Sequence, residues 1–225
     1  MQIFESQSAL AAALAQETAQ ALAVSIKARG RSLLAVSGGR TPVLFFEALS
    51  RMPLDWSDVV VTLVDERWVP EDNPRSNAAL VRRHLLINKA AEAAFLPLHN
   101  AAPTPELGVV AQERLLAAQP LPLAAAILGM GEDGHTASFF PGGDHLTEAL
   151  DQDSGRLLVS MQASGAGEPR ITLTLPVLTK AAFLAIHIEG ESKRAVLKKA
   201  QQAGRDEDMP VRTVLRHAPH IYWSP

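Results

Sequence analysis

The sequence has 225 residues, long enough for one α/β domain, and its 47% of hydrophobic residues indicates a globular rather than a disordered chain. A formal net charge of −3 leaves no broad basic field, which argues against a nucleic-acid partner. Without any cysteine the chain forms neither disulfides nor thiolate metal sites, and it suits a reducing cytoplasm.

The first predicted element is a helix rich in Ala and Leu over residues 6–28, opened by Ser6 or Ser8. No basic segment precedes it, and Glu5 and Glu17 interrupt its apolar residues. We therefore expect neither a signal peptide nor a membrane-spanning segment at this end of the chain.

Short apolar runs that alternate with helical patterns follow this helix. The predicted strands cover residues 32–36, 59–64, 123–128, 156–161, 170–175, 182–188 and 221–223. The predicted helices cover residues 42–51, 77–87, 104–118, 191–202 and 210–216, and Thr41 and Pro42 are the expected cap and first residue of the 42–51 helix. Continuous apolar strands are typical of parallel sheets buried on both faces, so the pattern predicts an open, mostly parallel α/β sheet in one domain over residues 1–225.

Three polar segments follow three of the predicted strands, at the edge where such sheets bind ligands. The first contains Ser37, Gly38, Gly39 and Arg40. Paired glycines let backbone N–H groups approach an anion, the next helix presents its positive end, and Arg40 adds a guanidinium. The same residues also suit an ordinary strand-to-helix turn, so a phosphate site and a plain turn are both compatible with this segment.

The second segment is Asp65-Glu66-Arg67, which begins a polar loop predicted over residues 65–77. Charges directly after a buried strand are costly unless they are solvated, paired or used in a site. Arg67 would hold a carboxylate, a phosphate or a developing oxyanion. The alternative is a structural ion pair that ties down the loop.

The third segment spans residues 129–143 and begins with a G-x-G-x-x-G pattern, which is typical of dinucleotide sites. That interpretation is disfavoured because Pro141-Gly142-Gly143 ends any following helix within about two turns. Asp133 and His135 then stand out. An imidazole accepts a proton near neutral pH, and a nearby carboxylate fixes its tautomer. A capping Asp beside an incidental His is the alternative, but the position at the ligand-binding edge favours a catalytic pair.

Two further cations are candidates for binding an anion. Arg170 opens a strand, and Lys193 lies at a helix start, where a cation opposes the helix dipole unless it meets an anion. His187 alternates with apolar residues and is expected in the core or at a sheet edge, whereas residues 163–168 are expected to form a mobile loop near the site. No His spacing resembles a zinc site, and the sequence contains neither a nucleophile elbow nor a P-loop.

Taken together and in order, these motifs resemble the 6-phosphogluconolactonase family. The segments that carry the resemblance are Ser37-Gly38-Gly39-Arg40-Thr41-Pro42, Asp65-Glu66-Arg67-Trp68-Val69-Pro70, residues 73–77, residues 129–142, residues 170–174 and Gly190-Glu191-Ser192-Lys193. The resemblance implies a Rossmann-like three-layer α/β/α fold with a mostly parallel central sheet. It also implies metal-free and cofactor-free hydrolysis of 6-phosphoglucono-δ-lactone in the pentose phosphate pathway.

The resemblance also suggests roles for individual residues. His135 is the expected general base and Asp133 its orienting partner, while Arg67 serves either the oxyanion or the phosphate. The residues expected to bind the substrate phosphate are Ser37, Gly38, Gly39, Arg40, Arg170 and Lys193. We further expect a cytoplasmic monomer or weak homodimer that binds a small phosphosugar lactone, and neither nucleic acid nor a membrane.

Two other functions remain open from the sequence. Glucosamine-6-phosphate deaminases are similar in fold, but their pattern has Asp-Glu-Tyr where this chain has Asp65-Glu66-Arg67. Their pattern also has Asn-Glu-Pro where this chain has Phe139-Phe140-Pro141. A non-catalytic sugar-phosphate sensor is the second alternative. Such sensors usually carry a DNA-binding segment, and the sequence shows no basic helix-turn-helix pattern.

Overall fold

A computed structural model describes residues 1–225, in which ten strands form two sheets. The strands are β1 (Gln2–Ile3), β2 (Ser32–Val36), β3 (Val59–Leu63), β4 (Asp65–Arg67), β5 (Ala94–Leu96), β6 (Ala125–Leu128), β7 (Leu158–Met161), β8 (Arg170–Leu173), β9 (Phe183–Glu189) and β10 (His220–Ser224). The helices are α1 (Gln7–Arg29), α2 (Val43–Leu49), α3 (Asn77–His84), α4 (Pro105–Ala117), α5 (Leu146–Leu150), α6 (Leu175–Thr179), α7 (Gly190–Ala200) and α8 (Val211–Leu215), with 3-10 turns at Trp56–Asp58 and Asn88–Glu92.

The larger sheet has seven strands in the order β1-β10-β9-β6-β2-β3-β5, and every neighbouring pair is parallel. The predicted α/β fold with a mostly parallel sheet is therefore confirmed. From β2 the chain proceeds outward to β3 and β5, and it then returns to the other side of β2 as β6. The strand order reverses between β2 and β6, which opens a crevice at the carboxyl ends of those two strands.

The smaller sheet is antiparallel, in the order β4-β8-β7. The prediction of a loop at 65–67 was wrong, because Asp65–Arg67 pairs with β8 and sets Arg67 opposite Arg170. The predicted strands 156–161 and 170–175 belong to this sheet and not to the parallel one. Asp65–Arg67 are all charged and show no apolar pattern. Only their pairing with the distant β8 reveals that they form a strand.

Helix α1 buries one stripe of side chains, which packs against α2 and the large sheet. The buried residues are Leu10, Ala11, Leu14, Ala15, Thr18, Ala19, Leu22 and Ser25. Ser6 caps its first turn by accepting the Ala9 N–H at 3.2 Å, and Gly30 ends it in the left-handed conformation at φ 74°. By length and composition alone α1 is able to cross a membrane, but 44% of its most apolar window is buried inside this fold.

Several element boundaries differ from the predicted ones. Thr41 does not cap α2, since the N-cap is Pro42 and the helix begins at Val43. The strand predicted to reach Leu175 ends at Leu173, because Thr174 caps α6 and Leu175 begins it, with Pro176 in the first turn. The sequence did not predict the short elements β1, β5, α5 and α6, because two to five residues are too few to show a hydrophobic periodicity.

Candidate active site

A cleft of about 350 Å³ opens at the carboxyl ends of β2 and β6, where the strand order reverses. The three polar segments expected to converge at this edge all contribute to its walls. The predicted site residues that line the cleft are Ser37, Gly38, Gly39, Arg67, His135, Arg170 and Lys193. Arg40 is exposed and is not among the lining residues, and Asp133 contacts the cleft through His135.

The loop after β2 brings main chain rather than bulky side chains to the cleft. The hydroxyl of Ser37 accepts the N–H of Gly129 at 3.0 Å, which ties together the ends of β2 and β6. A Cβ on Gly38 would overlap the buried side chain of Asn77, and Gly39 has φ +92°. Both glycines are therefore required by the backbone path, and the path suits contact with an anion.

His135 and Asp133 form a close pair beside the cleft. The Nδ1 atom of His135 lies 2.6 Å from Oδ1 of Asp133, which also accepts the backbone N–H of His135 at 3.1 Å. Partial burial alone would raise the pKa of Asp133, but the hydrogen bond and the charge of His135 lower it to about 2. The ionised carboxylate accepts the Nδ1 proton at neutral pH, so Nε2 of His135 is left as the proton acceptor.

The turn between β6 and His135 fixes the imidazole. Gly131 donates its N–H to the carbonyl of His135 at 2.8 Å, and a Cβ at Gly131 would overlap both His135 and Asp133. The ring of Phe140 packs against the imidazole with 4.4 Å between centroids. Turns and an isolated bridge between Thr136 and Phe139 follow this pair, without the helix that a dinucleotide site needs.

Arg67 and Arg170 form a cationic wall from the smaller sheet. Arg170 is 7% exposed, lies 3.5 Å from Oδ2 of Asp65 and stacks over Phe140 with 5.3 Å from Cζ to the ring centroid. Burial lowers the pKa of Arg170, while the charge of Asp65 opposes that effect. The side chain of Arg67 donates to the carbonyl of Arg75. Asp65 thus forms a structural ion pair, as one interpretation of the 65–67 segment has it, and Arg67 lines the cleft, where its binding role stays a prediction.

Glu66 has a structural position, with its side chain fully buried at the start of α3. Its carboxylate accepts N–H groups from Arg67, Asn77 and Ala78, each at 2.8 Å, and the hydroxyl of Ser76 at 3.2 Å. Burial raises the pKa of Glu66, and the backbone hydrogen bonds oppose that rise. This carboxylate therefore anchors the helix that supports the cleft wall.

The sequence did not single out several residues that line the cleft. His187 was expected in the core or at an edge; it is 3% exposed, pairs through Nε2 with Glu189 at 3.1 Å and borders the cleft. Arg75 and Asn77 also border it. No His, Asp and Glu side chains form a group of three or more that could hold a metal ion.

The parallel sheet and the crevice at its carboxyl edge define a Rossmann-like α/β protein. Its cleft lies at the reversal of strand order and has positively charged side chains around a His–Asp pair. The family model for glucosamine-6-phosphate isomerases/6-phosphogluconolactonase matches residues 5–223, and the chain belongs to this family. The resemblance found in the sequence is thereby confirmed.

Individual relatives agree with the family match. The chain is 52% identical to a 6-phosphogluconolactonase of Rhizobium meliloti, with 100% of this chain and 98% of the relative covered. It is 44% identical to one from Pseudomonas aeruginosa, with 100% and 94% covered. The crystal structure of a 6-phosphogluconolactonase from Shewanella baltica superposes with a TM-score of 0.96 at 40% identity, covering 100% of this chain and 97% of that one. A glucosamine-6-phosphate deaminase shares only the fold, at 17% identity and a TM-score of 0.79.

Proposed function

We propose that this chain hydrolyses 6-phospho-D-glucono-1,5-lactone to 6-phospho-D-gluconate, the second step of the oxidative pentose phosphate pathway. Relatives of up to 52% identity over the whole chain are 6-phosphogluconolactonases. The structural observation that carries the proposal is the 2.6 Å contact between His135 and Asp133 at a cleft with cationic walls. That arrangement suits a general base that acts on an anionic ester.

In the proposed reaction, Nε2 of His135 takes a proton from a water molecule as the water oxygen attacks the lactone carbonyl. Asp133 holds the imidazole and stabilises its protonated form. Arg67 stabilises the tetrahedral oxyanion. When the bond between C1 and the ring oxygen breaks, His135 returns the proton to that oxygen. The open-chain carboxylic acid then loses its own proton to solvent and leaves as 6-phosphogluconate, which is the proton release that an assay follows.

We place the substrate phosphate at the loop after β2 and the start of α7, both of which line the cleft. Gly38 and Gly39 offer main chain there, and Lys193 lies half-buried in the first turn of α7, where the helix dipole also favours an anion. Ser37 supports this loop through Gly129. Arg170 adds positive charge from the second wall, and the exposed Arg40 would have to turn inward to contribute.

The reaction requires only a modest rate acceleration from the protein, because a lactone is a reactive electrophile. General-base catalysis supplies about 10²–10⁴-fold. One oxyanion donor adds on the order of 10²–10³-fold. These two effects account for useful acceleration without a covalent intermediate or a metal ion, although spontaneous ring opening remains a background.

The decisive experiment follows proton release from freshly generated 6-phosphogluconolactone, with and without a chelator. We expect chelator-resistant acceleration by the wild type and a loss of about 10²–10⁴-fold in kcat for His135→Ala, with 6-phosphogluconate still bound. Near-normal turnover by His135→Ala would exclude the base assignment. No acceleration by the wild type would exclude the hydrolase, and ammonia release from glucosamine-6-phosphate would then identify a deaminase.

We also infer the setting in which the reaction occurs. Residues 1–225 are taken as one domain that acts as a monomer or weak homodimer, which sedimentation at micromolar concentration would test. The absence of cysteine supports a reducing cytoplasm. A negative net charge supports a small-molecule ligand over nucleic acid.

A further inference from the structure

Two loops at the mouth of the cleft are joined by one ion pair. The 68–76 loop connects β4 to α3, and the 163–168 loop lies between β7 and β8. Nε of Arg75 in the first loop lies 2.6 Å from Oε1 of Glu168 in the second. Arg75 borders the cleft, and the second loop borders it through Gly165 and Ala166.

Hydrogen bonds hold the main chain of the 163–168 loop, which the sequence suggested would be mobile. Arg170 is buried and donates from Nη2 to the carbonyl of Ala166 at 2.7 Å. Just beyond the loop, the carbonyl of Pro169 accepts the N–H of Trp68 at 2.7 Å. Ala166 itself is 3% exposed. Glu168 therefore extends from well-anchored main chain.

The 68–76 loop contacts the side chain of Arg67 through one hydrogen bond. The only hydrogen-bond acceptor of the Arg67 guanidinium is the main-chain carbonyl of Arg75, and its buried Nε has no partner. A guanidinium is planar, so fixing one N–H group sets the direction of the others. The direction of Arg67 in the cleft therefore depends on where the carbonyl of Arg75 lies.

The ion pair between the loops also offsets part of the positive charge on this wall. Arg67 and Arg75 both act electrostatically against Arg170. Asp65 lies 3.5 Å from Arg170 and Glu168 lies 2.6 Å from Arg75, so these two carboxylates offset the repulsion. Without Glu168, repulsion from Arg170 and Arg67 would favour movement of Arg75 towards solvent, where its side chain is already 54% exposed. Its carbonyl would then release Arg67.

We propose that Arg75 and Glu168 are positioning residues, whose ion pair between the two loops directs the Arg67 guanidinium to the reacting carbonyl. The proposal rests on the proposed lactone hydrolysis. Neither side chain needs to touch the substrate, since both act through the main chain of the 68–76 loop.

The first test is kinetic. Glu168→Ala should lower kcat about two- to fivefold, the range expected for a partly exposed ion pair, with a smaller change in KM. Its melting temperature should stay within about 2 °C of the wild type, because the pair lies at the surface. The matched control is Glu71→Ala, which lies in the same loop, breaks an exposed pair with Arg82 of α3 and does not line the cleft.

The second test asks whether the effect passes through Arg67. In an Arg67→Ala background, measured at high enzyme concentration above spontaneous hydrolysis, adding Glu168→Ala should leave kcat unchanged. An equal loss in both backgrounds, or a loss in Glu71→Ala as large as in Glu168→Ala, would overturn the positioning role. Wild-type hydrolysis together with a fully active Glu168→Ala would refute this inference alone, whereas an inactive wild type would refute the proposed function as well.

Discussion

At the scale of single residues, the contact between His135 and Asp133 makes the charge of one carboxylate a testable quantity. Asp133→Asn keeps the shape of the side chain, but it removes the negative charge and allows the amide to donate to Nδ1. The imidazole then has no fixed tautomer and no counter-charge when it is protonated. We expect kcat to fall about 10²-fold while KM changes little. Retention of more than half of kcat would show that Asp133 only caps the turn.

The same carboxylate predicts a change of stability with pH. The pKa of Asp133 is lowered from 3.8 to about 2 in the folded protein, so the unfolded chain binds more protons between those values. Stability from this group is therefore complete above about pH 5 and is lost as the pH falls towards 2. Urea unfolding of the wild type and of Asp133→Asn at several pH values should show a difference that shrinks with acidification. A difference that is constant with pH would contradict this.

At the scale of elements, the turn from β6 to His135 depends on a glycine with no room for a side chain. A methyl group on Gly131 would overlap both His135 and Asp133. Gly131→Ala should therefore displace the imidazole and lower kcat roughly tenfold or more, since small misplacements of catalytic groups are costly. Gly129→Ala is the comparison, because Gly129 also lines the cleft but its added methyl meets no protein atom within 4 Å. Equal kcat for the two variants would show that the turn adapts freely.

The start of helix α3 depends on the buried carboxylate of Glu66, which accepts the N–H groups of Asn77 and Ala78. Glu66→Gln replaces two carboxylate oxygens by one oxygen and an NH₂ group, which faces N–H donors that it cannot satisfy. Leaving such buried donors unpaired should lower the free energy of unfolding by about 2–4 kcal/mol. The midpoint of urea unfolding would measure this, with the exposed Glu92→Gln as control. A shift equal to that of Glu92→Gln would show that water replaces the lost acceptor.

Elements with a clear period were predictable, and those defined by distant pairing were not. The five-residue strands β2 and β3 are continuous apolar runs, and α1 has a capping serine and a terminal glycine, so each was located within a residue or two. Strand β4 has only charged residues, and its identity depends on β8, far along the chain. Sequence reasoning therefore found the parallel sheet and missed the small antiparallel one.

At the scale of the whole molecule, local sequence patterns predicted some parts of the site, and contacts between distant segments account for the parts that were missed. The strand-then-glycine pattern indicated which loops meet, because parallel strands end at one edge. The position of His187 in the core or at a sheet edge was predicted, whereas its place at the cleft and the ion pair of Arg75 with Glu168 follow from how loops and side chains pack in three dimensions. No local pattern encodes such contacts.

A ligand that bridges both sheets should stabilise the whole fold. The proposed site spans the main chain after β2, Lys193 on α7 and the arginines of the small sheet. At 100 times its Kd, 6-phosphogluconate should add about 2.7 kcal/mol, or roughly 5–10 °C in melting temperature for a chain of this size. At the same ligand concentration, Lys193→Ala should lose most of this shift, whereas Arg40→Ala should lose less, because its side chain is exposed. Differential scanning calorimetry would measure both, with sulfate at equal ionic strength as control. If Lys193→Ala kept the full shift, the phosphate would have to bind elsewhere, with the buried Arg170 as the next candidate.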